Sequence, residues 1–411
     1  MISRDIIYYG LIKGITVLYW LIIIKLSSIY LDPESFGNFS IAFSISTYIA
    51  IVLSGWQSSA ALRFYHEVDS KLIYYNVLLK TLFKPFLLFL SIGVLASLLS
   101  YFYMSDDFFW IVIAIIPLSI LYGLFLLIVP IVRIKRDLKF YLRLLLIQSV
   151  TLIGTVIPLL RIFGWVGVIL AFVVSYFVVL LYFVIIKINQ FHSIWYVKTN
   201  TKLVSQMMSY GWPVVLIGAF SQLLSSIDQI VLKYNGYNNE VGIYAANYNI
   251  AEKSVFAFLA IFVSAFTPIL YKNINSKNFD LLLQIRKGVS QFLLFALPIV
   301  VLLAIFSRTI SAVFLDKKYV EGHWIIPIIA FSGIFVGIAS FYSEVLTVAK
   351  KTKLLAALYG VAMMVNIVLN IIFIPRFGIL AAVSATFSAY FVLLVLVCVF
   401  ASRNNNVNLS T

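Results

Sequence analysis

The sequence is poor in charge. Of 411 residues only 11% are Asp, Glu, Lys or Arg, against about 25% in an average soluble domain. A chain of this length would otherwise make two or three soluble domains, and it has too few charges to cover their surfaces. Acids are scarcest, with 15 Asp and Glu against 30 Lys and Arg and a formal net charge of +15. A single cysteine, Cys398, excludes an intramolecular disulfide and a cysteine-based zinc site, and within its apolar run it reads as a small buried hydrophobe. The three histidines, His66, His192 and His323, lie far apart without metal-ligand spacing. No HExxH, GxSxG, P-loop or paired nucleophile and base occurs, so nothing in the chain calls for an enzyme, a metal or an organic cofactor. The first apolar run outlasts the roughly 7–15 residues of a signal-peptide core and has no cleavage site.

What the chain has in abundance is apolar length, at 63% hydrophobic residues. A membrane-crossing helix needs about 20 such residues. Twelve segments qualify, near 6–30, 36–60, 82–103, 108–132, 144–160, 165–186, 210–232, 241–270, 288–307, 324–346, 355–374 and 379–400. The fifth and sixth are divided only by Arg161-Ile162-Phe163-Gly164. The expected class is therefore an all-α polytopic membrane protein of about 12 transmembrane helices. With both termini placed in the cytoplasm, cytoplasmic segments hold 21 cations and five acids, a net of +16. External turns hold six cations and seven acids, and three of each sign fall within spans. The basic excess is thus the positive-inside bias of a multi-pass protein, and no nucleic-acid partner is needed to explain it.

Corresponding features recur in the two halves. Tyr9-Gly10 opens the first span and Tyr210-Gly211 the seventh; Phe36-Gly37 follows the first and Val241-Gly242 the seventh. Pro117 with Gly123 matches Pro327 with Gly333, and Phe163-Gly164 followed by Tyr176-Phe177-Val178 matches Phe377-Gly378 followed by Tyr390-Phe391-Val392. The matches keep order while their offset grows from 201 to 214. Six spans per half give both halves the same orientation, a parallel repeat. The expected organisation is an N-terminal six-helix lobe (1–186), a cytoplasmic linker (187–209), a C-terminal six-helix lobe (210–400) and a flexible cytoplasmic tail (401–411), with a central cavity between the lobes.

These stretches resemble the polysaccharide-unit (O-antigen) flippases of the multidrug/oligosaccharidyl-lipid/polysaccharide exporter superfamily. The similar motifs are Leu31-Asp-Pro-Glu-Ser-Phe-Gly-Asn-Phe39, Ala61-Leu-Arg-Phe64, Asp228-Gln-Ile-Val-Leu232 with Glu240-Val-Gly-Ile-Tyr244, and Pro375-Arg-Phe-Gly-Ile-Leu-Ala-Ala382. The resemblance implies translocation of an undecaprenyl-diphosphate-linked oligosaccharide from the cytoplasmic to the outer leaflet of a bacterial inner membrane. It also implies alternating access through a cationic cavity, and company from polymerase and chain-length proteins of the same pathway. Where such flippases often carry a basic residue after the Asp of the seventh span, this chain has Gln229.

Charge inside a membrane is costly, about 2.5–3.5 kcal/mol at a helix centre on insertion scales, so its positions are informative. Lys253 lies about 16 Å into the eighth span at 1.5 Å per residue. It shares a face with Gly242, Ala246, Asn249, Ala257, Ala260 and Ser264, small residues suited to packing or a cavity wall. It is the first candidate for meeting a diphosphate; a structural pair with Glu252 or Asp228 is the alternative. The seventh span carries Gly218, Ser221, Gln222, Ser225, Asp228 and Gln229 on one face, suited to sugar hydroxyls or equally to interhelical hydrogen bonds. Asp228 and Glu252 are candidates for a coupling ion, Na+ or H+, or for structural pairing. Serines 40, 44, 54 and 58 with Thr47 form a packing stripe in the second span. Lys13, which shares a face with Tyr9, Thr16 and Trp20, and Lys25 lie where a long side chain can snorkel; both are cavity candidates. Arg63 matches a basic position of the flippases. Glu344 is expected to pair with Lys350 or Lys351. The basic loop 133–143 reads as a topology signal beside anionic lipid.

Two rivals remain open. An ion-coupled multidrug antiporter of the same superfamily would want more buried acid and a less cationic cavity. A membrane polysaccharide polymerase or lipid-linked glycosyltransferase would present a large external loop, whereas the longest here, about 308–323, is short.

Overall fold

Where long apolar runs cross lipid, the backbone must satisfy its own polar groups, and an uninterrupted helix does so within one segment. The computed structural model describes residues 4–65, 67–68, 70–103, 106–135, 137–191, 199–273 and 280–403. Its helices are α1 (Arg4–Tyr30), α2 (Pro33–Phe64), α3 (Lys71–Tyr103), α4 (Asp106–Ile134), α5 (Leu138–Phe163), α6 (Trp165–Phe191) and α7 (Thr201–Leu224). They continue as α8 (Ile227–Tyr234), α9 (Asn238–Asn273), α10 (Leu281–Ile305), α11 (Ser307–Phe314), a 3-10 helix (Lys317–Trp324), α12 (Ile325–Val348) and α13 (Thr352–Arg403). No strand occurs among the described residues. Ten of the helices are long and apolar enough to cross a membrane. One of them, α13, is 52 residues long and turns at Gly378, and α9, with 36 residues, has the length and carries Glu252 and Lys253. Dividing α13 and adding α9 brings ten to the twelve expected.

Short polar signals set the helix ends. Asp32 accepts the Ser35 N–H at 3.1 Å, Pro33 takes the first helical position of α2, and Glu34 adds negative charge at its positive end. Asp137 and Asp280 cap α5 and α10 by accepting the N–H groups of Phe140 and Leu283 at 3.1 and 3.0 Å. The weak boundary at 161–164 is a genuine break, because Gly164 adopts φ 57 and ψ −138. Its counterpart by the sequence repeat, Gly378, adopts φ 52 and ψ −131. Both sit in a backbone region almost reserved for glycine, so the repeat is one of backbone conformation as well as of letters.

Two expectations need correction. The seventh span is not one helix over 210–232. It stops at Leu224 and resumes at Ile227, across Ser225-Ser226, a hydroxyl pair of the kind that interrupts helices. The face drawn from Gly218 to Gln229 therefore does not run unbroken. The external segment 308–323 is also ordered as α11 and the 3-10 helix rather than as a loop. Of the named linker and tail, residues 192–198 and 404–411 lie outside the described residues, as do His66, Arg136, His192 and the side chains of Tyr9, Ala257, Ala260 and Ser264.

Packing divides the chain into two units, Met1–Gly37 with Leu223–Thr411, and Asn38–Gln222. Each unit thus contains the first helix of the other sequence half. In the second unit α7 lies against α2: Trp56, Ala60 and Phe64 share a core with Leu203, Met207 and Val215. Rings join α6 to α2 and α4, with Phe43 and Phe172 centroids 4.8 Å apart and Tyr176 5.2 Å from both Tyr122 and Phe125. In the first unit α1 packs on α9, and α12 packs on α9, α10 and α13. The start of α2 meets the start of α9 through the repeat-related Gly37 and Gly242. A side-chain carbon on Gly37 would lie 2.9 Å from Val241, and one on Gly242 would run into the Pro33 carbonyl.

Candidate functional site

The deep lysine is held between an acid and a ring. Lys253 Nζ lies 2.6 Å from Glu252 Oε2 and 4.9 Å from the centre of the Trp20 ring. Glu252 and Lys253 are consecutive on α9 and each side chain is 25% exposed, while Trp20 comes from α1. The pair is neutral as a whole, which lowers the cost of two intramembrane charges. The ring face adds a cation–π attraction of about 0.5–2 kcal/mol. The pairing foreseen as the alternative for Lys253 is therefore formed with Glu252. One turn earlier, Asn249 Nδ2 donates to the Ala245 carbonyl at 2.7 Å.

Asp228 has a different environment. It is 0% exposed and its three donors are all neutral: the Tyr244 hydroxyl, the Thr386 hydroxyl at 3.0 Å and the Gln229 backbone N–H at 2.8 Å. A relay of buried polar groups runs on through α13. Asn366 Nδ2 approaches Thr386 Oγ1 at 3.5 Å, and Asn370 Nδ2 donates to Asn366 Oδ1 at 3.1 Å. The relay ends at Asn370 Oδ1, a buried acceptor without a hydrogen-bond partner among the described residues. A carboxylate, an amide oxygen and a hydroxyl are hard ligands of the kind an alkali cation takes, and the buried Asn370 acceptor at the far end of the relay carries a desolvation cost. Asn366, Asn370, Thr386 and Tyr244 were not singled out from the sequence. Their signal was legible: two asparagines four residues apart in an apolar span share a helix face, and polar groups there are expensive.

The remaining candidates spread out. Lys25 Nζ donates to the Leu315 carbonyl at 2.8 Å, so its charge sits at the negative end of α11. Around it, Ser28 accepts the Asp316 N–H at 3.1 Å, and Tyr319 donates its hydroxyl to the Leu31 carbonyl at 2.9 Å. Buried Asn247 donates to the Tyr319 carbonyl and accepts from Ser311, both at 2.9 Å. Together these fasten the end of α1 to α9, α11 and the 3-10 helix. Lys13 is half-buried one turn before Thr16 on α1. Arg63 belongs to the other unit, where it stacks 4.4 Å from the Tyr210 ring centre and lies 3.7 Å from Glu67. Gln222 and Ser225 are half-buried on either side of the α7 terminus. The structure thus brings Lys253, Glu252 and Trp20 together and sets Asp228 in a buried network of neutral donors.

The model of the polysaccharide biosynthesis protein family matches residues 2–274. The chain belongs to that family. A MatE family model matches residues 213–372, which include Asp228, Lys253 and both asparagines. Among solved structures, the lipid II flippase MurJ in an inward closed conformation superposes with a TM-score of 0.74 at 18% identity, covering 97% of this chain and 87% of that one. An inward-facing multidrug resistance MATE family transporter superposes at 0.72 and 15% identity, covering 97% and 94%. These likenesses establish a shared fold, and ten helices of the described residues are long and apolar enough to cross a membrane. An uncharacterised membrane protein of Methanocaldococcus jannaschii is 26% identical over 198 residues, 47% of this chain and 38% of that protein; the match spans well under half of that relative.

Proposed function

We propose that this protein is a flippase that carries an undecaprenyl-diphosphate-linked oligosaccharide, an O-antigen or capsular repeat unit, from the cytoplasmic to the outer leaflet of a bacterial inner membrane. The observation that carries the reading is the polysaccharide biosynthesis family match over 2–274, on a chain whose deep lysine can meet an anion. In the proposed cycle both termini are cytoplasmic, as the positive-inside bias suggests. An inward-open cavity accepts the headgroup while the prenyl chain stays in lipid. Lys253 leaves Glu252 for the diphosphate as a compact point charge, with Lys13 nearer the mouth and Trp20 offering a face to a sugar ring. Na+ or H+ at Asp228, Thr386, Asn366 and Asn370 drives the return. Polymerase and chain-length proteins of the same pathway take the product. Deleting the gene tests the assignment: the lipid-linked glycan should accumulate facing the cytoplasm, and unchanged sidedness with normal surface glycan contradicts it.

The MatE match over 213–372 favours one second reading, an ion-coupled exporter of amphiphilic small molecules. Cells overproducing the protein should then extrude cationic dyes in a gradient-dependent way, which the flippase reading does not predict.

A further inference from the structure

On α9, Tyr244, Tyr248 and Glu252 follow one another at intervals of four and so share a face. The first tyrosine is already committed, its hydroxyl donating to Asp228. The second is not. Tyr248 is 2% exposed, its ring centre lies 5.6 Å from that of Tyr244, and its buried hydroxyl makes no hydrogen bond among the described residues. The ionisable groups around that hydroxyl are Tyr390 of α13, Glu252, Tyr244 and Asp228. A buried donor left unpaired carries a desolvation cost that nothing returns, and a phenylalanine would fill the same space without it. Glu252 gives the phenol a use. Its Oε2 is held by Lys253 at 2.6 Å, and side chains of an α-helix lean toward its N-terminus, so Glu252 leans over the turn that carries Tyr248. Once the ammonium leaves, a carboxylate within a membrane span needs another donor. A neutral phenol supplies a charge-assisted bond and, with Tyr244 committed to Asp228, Tyr248 is the tyrosine of this face with a proton to offer.

We propose that Tyr248 is the second partner of Glu252: its hydroxyl receives the carboxylate when Lys253 turns from Glu252 to an anionic group of the substrate. Glu252 then has two positions, one on Lys253, as in this structure, and one on Tyr248. Tyr248 is a positioning residue, which touches neither diphosphate nor sugar but lowers the cost of releasing the lysine. The exchange of partners rests on the role of Lys253 proposed above, whereas the capacity of Tyr248 to hold Glu252 does not.

A mutant cycle on the purified full chain, read as melting temperature, tests the partnership without transport. While Lys253 is present the Tyr248 hydroxyl is unpaired, so Tyr248→Phe should leave the wild-type value within about 1 °C. In Lys253→Ala the carboxylate depends on the phenol, and adding Tyr248→Phe should lower the melting temperature by about 2–4 °C. Adding Glu252→Gln as a third change should abolish that penalty. Translocation by the reconstituted chain gives a second reading. Tyr248→Phe should raise the substrate concentration for half-maximal flipping about tenfold, leave the maximal rate little changed, and add nothing in Lys253→Ala. A hydroxyl that only packs would instead lower the wild-type melting temperature and leave the half-saturating concentration where it was. Equal Tyr248→Phe shifts with and without Lys253, or a penalty that follows Tyr390→Phe and not Tyr248→Phe, would overturn the proposal. A wild type that flips no lipid-linked glycan contradicts the flipping assignment, and the melting-temperature cycle still decides Tyr248.

Discussion

Two acids of one unit, Glu252 and Asp228, meet the membrane in opposite ways. Glu252 is a quarter exposed and has its own cation on the next residue, with the Trp20 ring beside that cation. Asp228 is sealed among neutral donors, two hydroxyls and one backbone N–H. The first acid is balanced by covalent neighbourhood and exposes a cation that an incoming anion can compete for. The second is balanced only by dipoles, and full burial of an ionised carboxylate on dipoles alone is costly. In the proposed cycle the first arrangement serves substrate contact and the second a small cation that arrives and leaves.

The contrast can be broken most sharply at Asp228. Asp228→Asn keeps the size and most of the hydrogen bonding while removing the charge. It should lower gradient-driven translocation by at least about tenfold, with the protein still extracted folded. If the ion is Na+, added Na+ should raise the wild-type melting temperature, by about 2.7 kcal/mol of stabilisation at a hundred times its dissociation constant, and should leave Asp228→Asn unmoved. Glu252→Gln should keep that Na+ response intact, and its loss there would merge the two sites.

The next effect concerns Lys253. Lys253→Ala should reduce flipping by about tenfold while Lys253→Arg retains most of it. Glu252→Gln frees the ammonium and should weaken activity less than Lys253→Ala does. If the pair is purely structural, Glu252→Gln and Lys253→Ala should instead damage stability equally, since each leaves a charge without its partner. Thr386→Val should cost about 1–3 kcal/mol of stability by stripping a donor from a buried carboxylate, read as a lower denaturation midpoint and a weaker Na+ response. The smallest effect is expected at the fastening of α1. Tyr319→Phe loses only the hydroxyl bond to the Leu31 carbonyl and should cost about 1 kcal/mol, with no change in ion dependence.

Much of the fold was legible in the sequence because lipid imposes one rule on the backbone. Apolar length gave the spans, and Gly164 and Gly378 marked equivalent breaks in the two halves. What could not be read was pairing at a distance. The exchange of α1 and α7 between the packing units depends on tertiary contacts, such as Trp56 beside Met207, that no local pattern encodes. The interruption at Ser225-Ser226 lay within a run whose hydropathy looks continuous. At the site, Lys253 stood out because one charge in lipid is conspicuous, and Glu252 was the adjacent letter. The Asp228 network was missed beyond its acid because Asn366, Asn370 and Thr386 are uncharged and sit well over a hundred residues away in the chain.

Movement of a lipid-linked glycan across the bilayer is measured directly by reconstitution. Proteoliposomes holding the purified full chain and a fluorescent undecaprenyl-diphosphate-linked oligosaccharide on the inner leaflet are placed under a Na+ or H+ gradient. Exposure of the glycan to an external glycosidase then reports translocation. Gradient-dependent exposure well above that of protein-free vesicles is expected, diminished in Lys253→Ala and uncoupled from the gradient in Asp228→Asn. Exposure no faster than in protein-free vesicles under either gradient would contradict it.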